Sequence, residues 1–225
     1  MDRMDFEPTP RRGFLGRLAA GAAAVAAGGL LTKVGAEAHQ PIDGPWDDSW
    51  QKRIKGDHRQ VFDAMEINSG FPLTMAYVWM STYGQAYQMK TKDLSAVVVL
   101  RHAAIFMAMN TVVWAKYKLG EANNVVDPLT NQPATRNVFS SSAGFPFPPF
   151  ADAAIDKMVA AGVIFCACSV ALTFMSGKMA EKGGVTADVA LADWKAGLLP
   201  GITLVPSGVL AVGRAQDREC RYCGT

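Results

Sequence analysis

Two cysteines, Cys166 and Cys168, lie at the end of a short apolar run and are the residues best suited to covalent chemistry. Residues 163–168 (VIFCAC) predict a buried strand, and a helix is predicted to begin at Ser169. A thiol at such a strand end lies near the first amides of the helix, which favour the nucleophilic thiolate. The sequence therefore predicts a nucleophile at Cys168; the alternative is a small buried side chain that only packs.

The other three cysteines suggest different roles. Cys166 is two residues from Cys168, so the two are expected on one face of the strand, where they are poorly placed for an unstrained disulfide. We therefore expect Cys166 to pack in the core. Cys220 and Cys223 form a CxxC motif without a following His or a second pair, which argues against haem attachment and zinc. In an exported chain this motif predicts a terminal disulfide, with two free or packed thiols as the alternative.

Arg101 and His102 follow a second apolar run, residues 94–100, and form the other candidate site. His102 is suited to acid–base catalysis, or to binding an anion together with Arg101. The alternative is a histidine that is hydrogen-bonded to the backbone at a helix start. The candidate catalytic residues are therefore Cys168 and His102.

Other chemistry is not indicated. The sequence contains no glycine-rich phosphate loop, Ser-His-Asp arrangement or paired carboxylates. The methionines are spread over predicted helices, which is typical of core packing rather than of metal ligation. We therefore predict neither a cofactor nor a metal.

Short apolar strands alternate with helices along the part of the chain that must position these residues. We predict strands at about residues 59–64, 94–100, 163–168 and 202–205. The predicted helices span residues 71–88, 103–118, 151–161, 169–181, 186–198 and 209–218. This alternation indicates an α/β fold with a doubly wound, mainly parallel sheet flanked by helices. Ligands bind beyond the carboxyl ends of such strands, so Leu100, Cys168 and Val205 are expected along one edge.

Two segments depart from the alternation. Residues 121–150, rich in proline and serine and ending in FPFPPF, are longer than an ordinary connection. We predict a loop insertion with little regular structure, which folds over the strand-end edge or a subunit interface and can be deleted without unfolding the domain. Residues 39–57 are predicted to be a linker that lays Trp46 and Trp50 on the body of the domain.

The amino-terminal residues resemble an export signal. Arg11 and Arg12 precede a small-apolar stretch, residues 18–31, and Ala36-Glu37-Ala38 follows it. This order predicts a twin-arginine signal peptide over residues 1–38, export by the twin-arginine machinery, and a periplasmic location. A membrane anchor is the alternative, but the stretch falls short of the roughly 20 residues that a span needs. No later stretch is apolar enough, so we expect no membrane association once the signal is removed.

Composition narrows the class of protein. The 225 residues are 50% hydrophobic, and the 22 Lys and Arg nearly balance the 20 Asp and Glu. A nucleic-acid binder usually carries a basic excess, so we expect no nucleic-acid partner. Residues 58–225 are long enough for one domain with its own hydrophobic core.

The carboxyl-terminal part of the chain resembles the DsrE/DsrF-like family of small sulfur-relay proteins. The residues that carry the resemblance are Gly162-Val163, the strand ending at Cys168, the run LLPGITLVPSG at 198–208, Ala215-Gln216 and Arg221-Tyr222. The PG…VPSG run is the specific feature, and residues 58–120 agree in the order of elements. The resemblance implies a doubly wound α/β sheet, assembly into a homo-oligomer such as a trimer or hexamer, and sulfane sulfur carried on the strand-end cysteine.

Three functions follow as expectations. The resemblance implies an exported carrier of persulfide sulfur, or a thiol-based handler of a small ligand, at Cys168. Its partners would be a sulfur donor or acceptor protein, or a small ligand. The alternatives are a non-catalytic module that binds a ligand or partner through residues 121–150, and a structural subunit of a periplasmic complex.

Overall fold

Five parallel strands form the sheet of the computed structural model, which describes residues 46–225 and confirms the predicted α/β fold. The strands of this sheet are β1 (His58–Ala64), β2 (Leu94–Leu100), β5 (Ile164–Cys168), β6 (Ile202–Val205) and β7 (Arg221–Gly224). Their order across the sheet is β6-β5-β2-β1-β7, and every neighbouring pair is parallel. Two short strands, β3 (Val126–Asp127) and β4 (Gln132–Pro133), form a separate antiparallel hairpin.

Helices connect the strands of the main sheet. The α-helices of the described residues are α1 (Phe71–Tyr87), α2 (Thr111–Lys116), α3 (Leu119–Ala122), α4 (Ile155–Ala160), α5 (Ser169–Met179), α6 (Ala187–Ala196) and α7 (Gly208–Gln216). Short 3-10 helices span Ser49–Arg53, Asn68–Gly70, Thr91–Asp93, His102–Ala108 and Pro148–Ala153. The continuous β-branched run of residues 94–100 forms a strand buried along its whole length, as its composition predicts.

The direction of the crossovers decides which face of the sheet each helix covers. From β1 to β2, β5 and β6 the chain moves steadily toward one edge, whereas the last crossover, through α7, returns to pair β7 with β1. Parallel crossovers are right-handed, so this reversal transfers α7 to the opposite face. The larger core cluster accordingly contains Phe62 and Val98 with side chains of α1, α2, α5 and α6, and the smaller contains Val61 and Val97 with Ala211 of α7.

The residues just before β1 complete the smaller core. Trp50, in the 3-10 helix Ser49–Arg53, is 2% exposed and packs there with Ile54. Of the two tryptophans predicted to lie on the body of the domain, Trp50 is thus buried against the sheet, whereas Trp46 is only partly buried and belongs to neither core cluster. Residues 1–45, which include the predicted signal peptide, lie outside the described residues.

The single helix predicted at residues 103–118 is wrong. A 3-10 helix ends at Ala108, and the Met109 backbone then forms a β-bridge with Leu198. Asn110 starts α2 by accepting a hydrogen bond from the Val113 N–H at 3.0 Å. Tertiary pairing of the backbone thus overrides the local preference for helix. Gly120, predicted to end the helix, lies inside α3, where a side chain would collide with the backbone of residue 134.

The segment 121–150 belongs to the core and is not a detachable flap. Outside the β3–β4 hairpin it has little regular structure, as predicted, but Phe139 and Phe145 are buried in the larger core. Asn137 is 1% exposed, and its side-chain amide donates to the carbonyl oxygens of Met107 (2.8 Å) and Met109 (2.6 Å). In a continuous helix these two carbonyl oxygens would accept hydrogen bonds from backbone N–H groups, and the Asn137 amide takes the place of those donors. The expectation that the loop can be deleted is therefore replaced by the opposite prediction.

Candidate functional site

The carboxyl ends of the parallel strands bring the candidate residues to one edge of the sheet. Leu100 pairs in register with Ala167, and Cys168 pairs with Val205, as the predicted common edge requires. Arg101 follows β2 directly, and its N–H donates to the carbonyl oxygen of Ala64 at the end of β1 (3.0 Å). Ligands of doubly wound sheets bind beyond this edge.

A buried ion pair joins the ends of β1 and β2. Arg101 donates from Nε to Oδ1 of Asp63 at 2.6 Å and from Nη2 to Oδ2 at 2.8 Å. The Asp63 side chain is only 4% exposed, and that of Arg101 is 22% exposed. The hydrogen bonds to Asp63 raise the pKa of Arg101, although burial works in the opposite direction. A two-point pair of this kind fixes the orientation of the guanidinium as well as its charge.

The last strand of the sheet holds the Asp63 carboxylate from the other side. The Tyr222 hydroxyl donates to Oδ2 of Asp63 at 3.0 Å, and the Thr225 N–H donates to the Asp63 carbonyl oxygen at 3.1 Å. The hydrogen bond and the negative charge of Asp63 raise the pKa of Tyr222, so its hydroxyl stays protonated. Asp63, Arg101 and Tyr222 are hereafter called the strand-end cluster.

The strand-end cluster lies where the strand order reverses. The chain runs from β1 toward β6, and β7 is then added on the other side of β1. In doubly wound sheets such a reversal opens the crevice that ligands use. The sequence singled out Arg101 but not Asp63 or Tyr222 as site residues. The sequence did carry a signal for Asp63: it is a lone carboxylate in the second half of β1, where Val61, Phe62 and Ala64 are apolar.

Cys168 ends β5 and provides the N-cap of α5. Its Sγ accepts a hydrogen bond from the Ala171 N–H at 3.3 Å, within the first turn of the helix. The residue is 5% exposed, compared with 0% for Cys166. Leu100 pairs in parallel register with Ala167, so Arg101 and Cys168 follow side by side at the ends of adjacent strands.

Two surface cavities of the described residues lie away from Cys168. One, of about 480 Å³, is lined by residues 46–52 with Arg214 and Arg218 of α7 and the segment that follows it. The other, of about 370 Å³, is lined mainly by α1, α4 and residues 89–94. Cys168 lines neither cavity, and its side chain is buried in the larger core.

His102 lies on the solvent side of the same edge. Its side chain is 57% exposed, and Nδ1 is 2.9 Å from Oε1 of Glu66, in the segment after β1. Its φ of 49° is left-handed, a conformation that non-glycine residues rarely adopt outside turns and functional sites. Arg101 is directed to Asp63, so His102 and Arg101 have separate carboxylate partners.

The remaining cysteines are structural. Cys166 packs in the smaller core and Cys168 in the larger, so the expected common face is wrong: the chain turns into α5 at Cys168. Burial raises the pKa of the Cys166 thiol, which keeps it protonated. Cys220 and Cys223 are free and do not form the predicted disulfide. Cys220, just before β7, packs in the smaller core, whereas Cys223, on β7, contacts the larger core; burial raises the pKa of Cys220 to about 11.

Residues 46–225 offer neither a cluster of metal ligands nor a helix that could span a membrane. No cluster of three or more His, Cys, Asp or Glu side chains in this range could hold a metal ion. None of the helices in the same range has the length and apolar character needed to cross a membrane.

Comparisons with known proteins assign no family. No protein-family model matches the chain, and a search of curated proteins found no match. Functional inference therefore depends on the strand-end edge and on the sequence resemblance.

Proposed function

We propose that this protein is an exported, DsrE-like carrier that accepts a sulfur atom, or another small reactive group, on Cys168. The hydrogen bond from the Ala171 N–H to the Cys168 Sγ is the observation that carries the proposal. An amide in the first turn of a helix stabilises negative charge on sulfur, and the thiolate is the nucleophilic form. Both thiols are buried, but among the described residues only the Cys168 Sγ, and not that of Cys166, accepts such a hydrogen bond.

The transfer step needs only a thiolate and a persulfide donor. The Cys168 thiolate attacks the outer sulfur of a donor R–S–SH, the donor S–S bond breaks, and R–S⁻ leaves with the electron pair. Cys168 then carries –S–SH, so one S–S bond has formed and one has broken without net oxidation. The positive charge of Arg101 stabilises the anionic groups in this exchange.

His102 is proposed to exchange protons at the same edge. It is largely exposed and paired with Glu66, so it is in contact with both water and a carboxylate. An imidazole can both accept and donate a proton, and so can supply the proton that a departing thiolate requires. We propose His102 as a candidate catalytic residue together with Cys168.

The location and partners are part of the proposal. The twin-arginine pattern at Arg11 and Arg12 supports export by the twin-arginine machinery to the periplasm, with a sulfur donor or acceptor protein, or a small ligand, as partner. The family resemblance supports a homo-oligomer. Export is tested by Arg11→Lys with Arg12→Lys, which should retain the precursor in the cell; export at the wild-type level would refute it.

Mass spectrometry of the native protein tests the carrier function. After incubation with a low-molecular-weight persulfide, we expect one added sulfur on the peptide that contains Cys168, which a thiol acceptor removes. Cys168→Ser should abolish this addition, whereas Cys223→Ser, at a half-buried thiol on β7, should leave it intact. A wild-type protein that takes up no sulfur at Cys168, or that takes it up equally in Cys168→Ser, contradicts the carrier function.

A partner-binding function is the alternative that a specific observation favours. Phe147 and Phe150 of the FPFPPF stretch are each 36% exposed, although Phe145 is buried. Exposed rings on an ordered segment are typical of a surface that contacts another protein. Phe147→Ser with Phe150→Ser should then abolish complex formation without changing Cys168 reactivity, which separates the two functions.

A further inference from the structure

One nitrogen of the Arg101 guanidinium has no hydrogen-bond partner among the residues that the structure describes. Nε and Nη2 both donate to Asp63, whereas Nη1 has no acceptor among residues 46–225. The carboxylate of the pair is almost completely buried, and the arginine side chain is 22% exposed. A partly buried guanidinium with free donors requires an acceptor, either water or a ligand.

The orientation of this guanidinium is set from several directions. Two hydrogen bonds to Asp63 define its plane, and the Tyr222 hydroxyl fixes the Asp63 carboxylate in turn. The arginine stem runs against the first residue of α7, where a Cβ on Gly208 would lie 2.7 Å from the Arg101 Cβ. Such restraint lowers the entropy cost of binding a second acceptor.

The free donors are at the edge that the reactive thiol occupies. Arg101 directly follows β2 and Cys168 ends the adjacent strand β5, where the preceding residues Leu100 and Ala167 pair in register. Tyr222 and Asp63 lie on β7 and β1, at the reversal of strand order where doubly wound sheets bind ligands.

We infer that Arg101, oriented by Asp63 and Tyr222, binds the anionic group, a carboxylate or an oxyanion, of the small molecule that reacts at Cys168. Asp63 compensates much of the charge of Arg101, so recognition depends on directed hydrogen bonds from the guanidinium rather than on charge alone. Asp63 and Tyr222 are positioning residues. That the bound anion reacts at Cys168 rests on the proposed function, whereas anion binding at Arg101 does not.

Two alkylating reagents of matched size test the inference. Iodoacetate and iodoacetamide attack the same thiolate: an S–C bond forms, the C–I bond breaks, and iodide leaves with the electron pair. Both rates depend equally on the ionisation and the accessibility of the thiol. The ratio of the two rates at Cys168 therefore measures only the preference for an anionic reagent. We expect this ratio to fall about tenfold in Arg101→Gln, because a charge-assisted hydrogen bond to the carboxylate is lost.

Two further variants keep the result interpretable. If the single variant Arg101→Gln fails to fold, the double variant Asp63→Asn with Arg101→Gln replaces it, because it leaves no buried charge unpaired. The ratio should fall as much in the double variant as in the single one. Arg214→Gln removes a positive charge from an exposed position on α7 and should leave the ratio unchanged. Inorganic sulfate should slow iodoacetate but not iodoacetamide if the site accepts oxyanions as well as carboxylates.

The outcomes separate this inference from the proposed function. Equal ratios in the wild type and the Arg101 variants overturn the anion site but leave Cys168 as a nucleophile. If neither reagent alkylates Cys168, the carrier function fails. Titration of the Cys168→Ser protein with sulfate, followed by NMR, then shows whether the anion site exists. A saturable shift of the Gly208 and Tyr222 amides supports the site, and the absence of such a shift overturns it.

Discussion

Arg101 and Asp63, 38 positions apart in the chain, form a two-point ion pair at 2.6 and 2.8 Å across the ends of neighbouring strands. The pair places a fixed cation beside the strand-end cysteine. Because Tyr222 of the last strand also donates to Asp63, the pair joins the beginning and the end of the domain. Stability and reactivity at this edge should therefore change together.

Replacement of Asp63 should destabilise the fold more than loss of a surface ion pair does. Asp63→Asn leaves the Arg101 guanidinium without its counter-ion, and we expect a loss of roughly 2–3 kcal/mol in the free energy of unfolding. Glu219→Gln, which removes the exposed partner of Arg59, should cost less than about 1 kcal/mol. Urea unfolding measures both variants. Equal costs would show that the Asp63–Arg101 pair does not stabilise the domain.

Asp127 should make stability sensitive to acid. The bidentate hydrogen bond to Arg136 holds the pKa of Asp127 below its usual range. The ionised carboxylate therefore stabilises the folded state fully above the unfolded pKa of about 3.9. This stabilisation is lost as the pH falls through the lower pKa of the folded state. Asp127→Asn should destabilise the protein at pH 6, and the difference from the wild type should shrink as the pH falls below about 4. A difference that stays constant over this range would contradict the assignment.

Phe139 should be essential for folding although it lies in the segment 121–150. Its side chain is fully buried, so Phe139→Ala should cost about 3–5 kcal/mol. Phe174→Ala, at a ring on α5 that is 67% exposed, is the matched control and should have little effect. Thermal unfolding distinguishes the two. A stable Phe139→Ala protein would restore the interpretation of this segment as a detachable flap.

Gly208 should be required for the position of Arg101. A methyl group there would lie 2.7 Å from the Arg101 Cβ, so Gly208→Ala should displace the arginine stem and cost about 1–3 kcal/mol. It should also lower the preference of Cys168 for iodoacetate. Gly177→Ala is the control, because its added methyl meets no atom within 4 Å and should stabilise α5 by about 0.5–1 kcal/mol. Unchanged alkylation rates in Gly208→Ala would exclude the contact as a determinant of the site.

The amino-acid sequence by itself determined four strands of the main sheet and the class of fold. The β-branched run at residues 94–100 and the PG and PSG turns around residues 202–205 specify short buried strands, because apolar runs bounded by turn residues have few other stable arrangements. The strand-end position of Cys168 followed from the same pattern. These features are local, so periodicity and turn chemistry were sufficient to predict them.

Tertiary structure alone decided which residues meet at the strand ends. The pairing of β7 with β1 brings Tyr222 to Asp63, and no local pattern shows which strand the final segment joins. The break at Met109 and the buried position of Phe139 have the same origin, since backbone pairing and core volume are settled by segments distant in the chain. Cys220 and Cys223 stay apart because the chain enters β7 between them: Cys220 packs in the smaller core, whereas β7 directs Cys223 to the larger one.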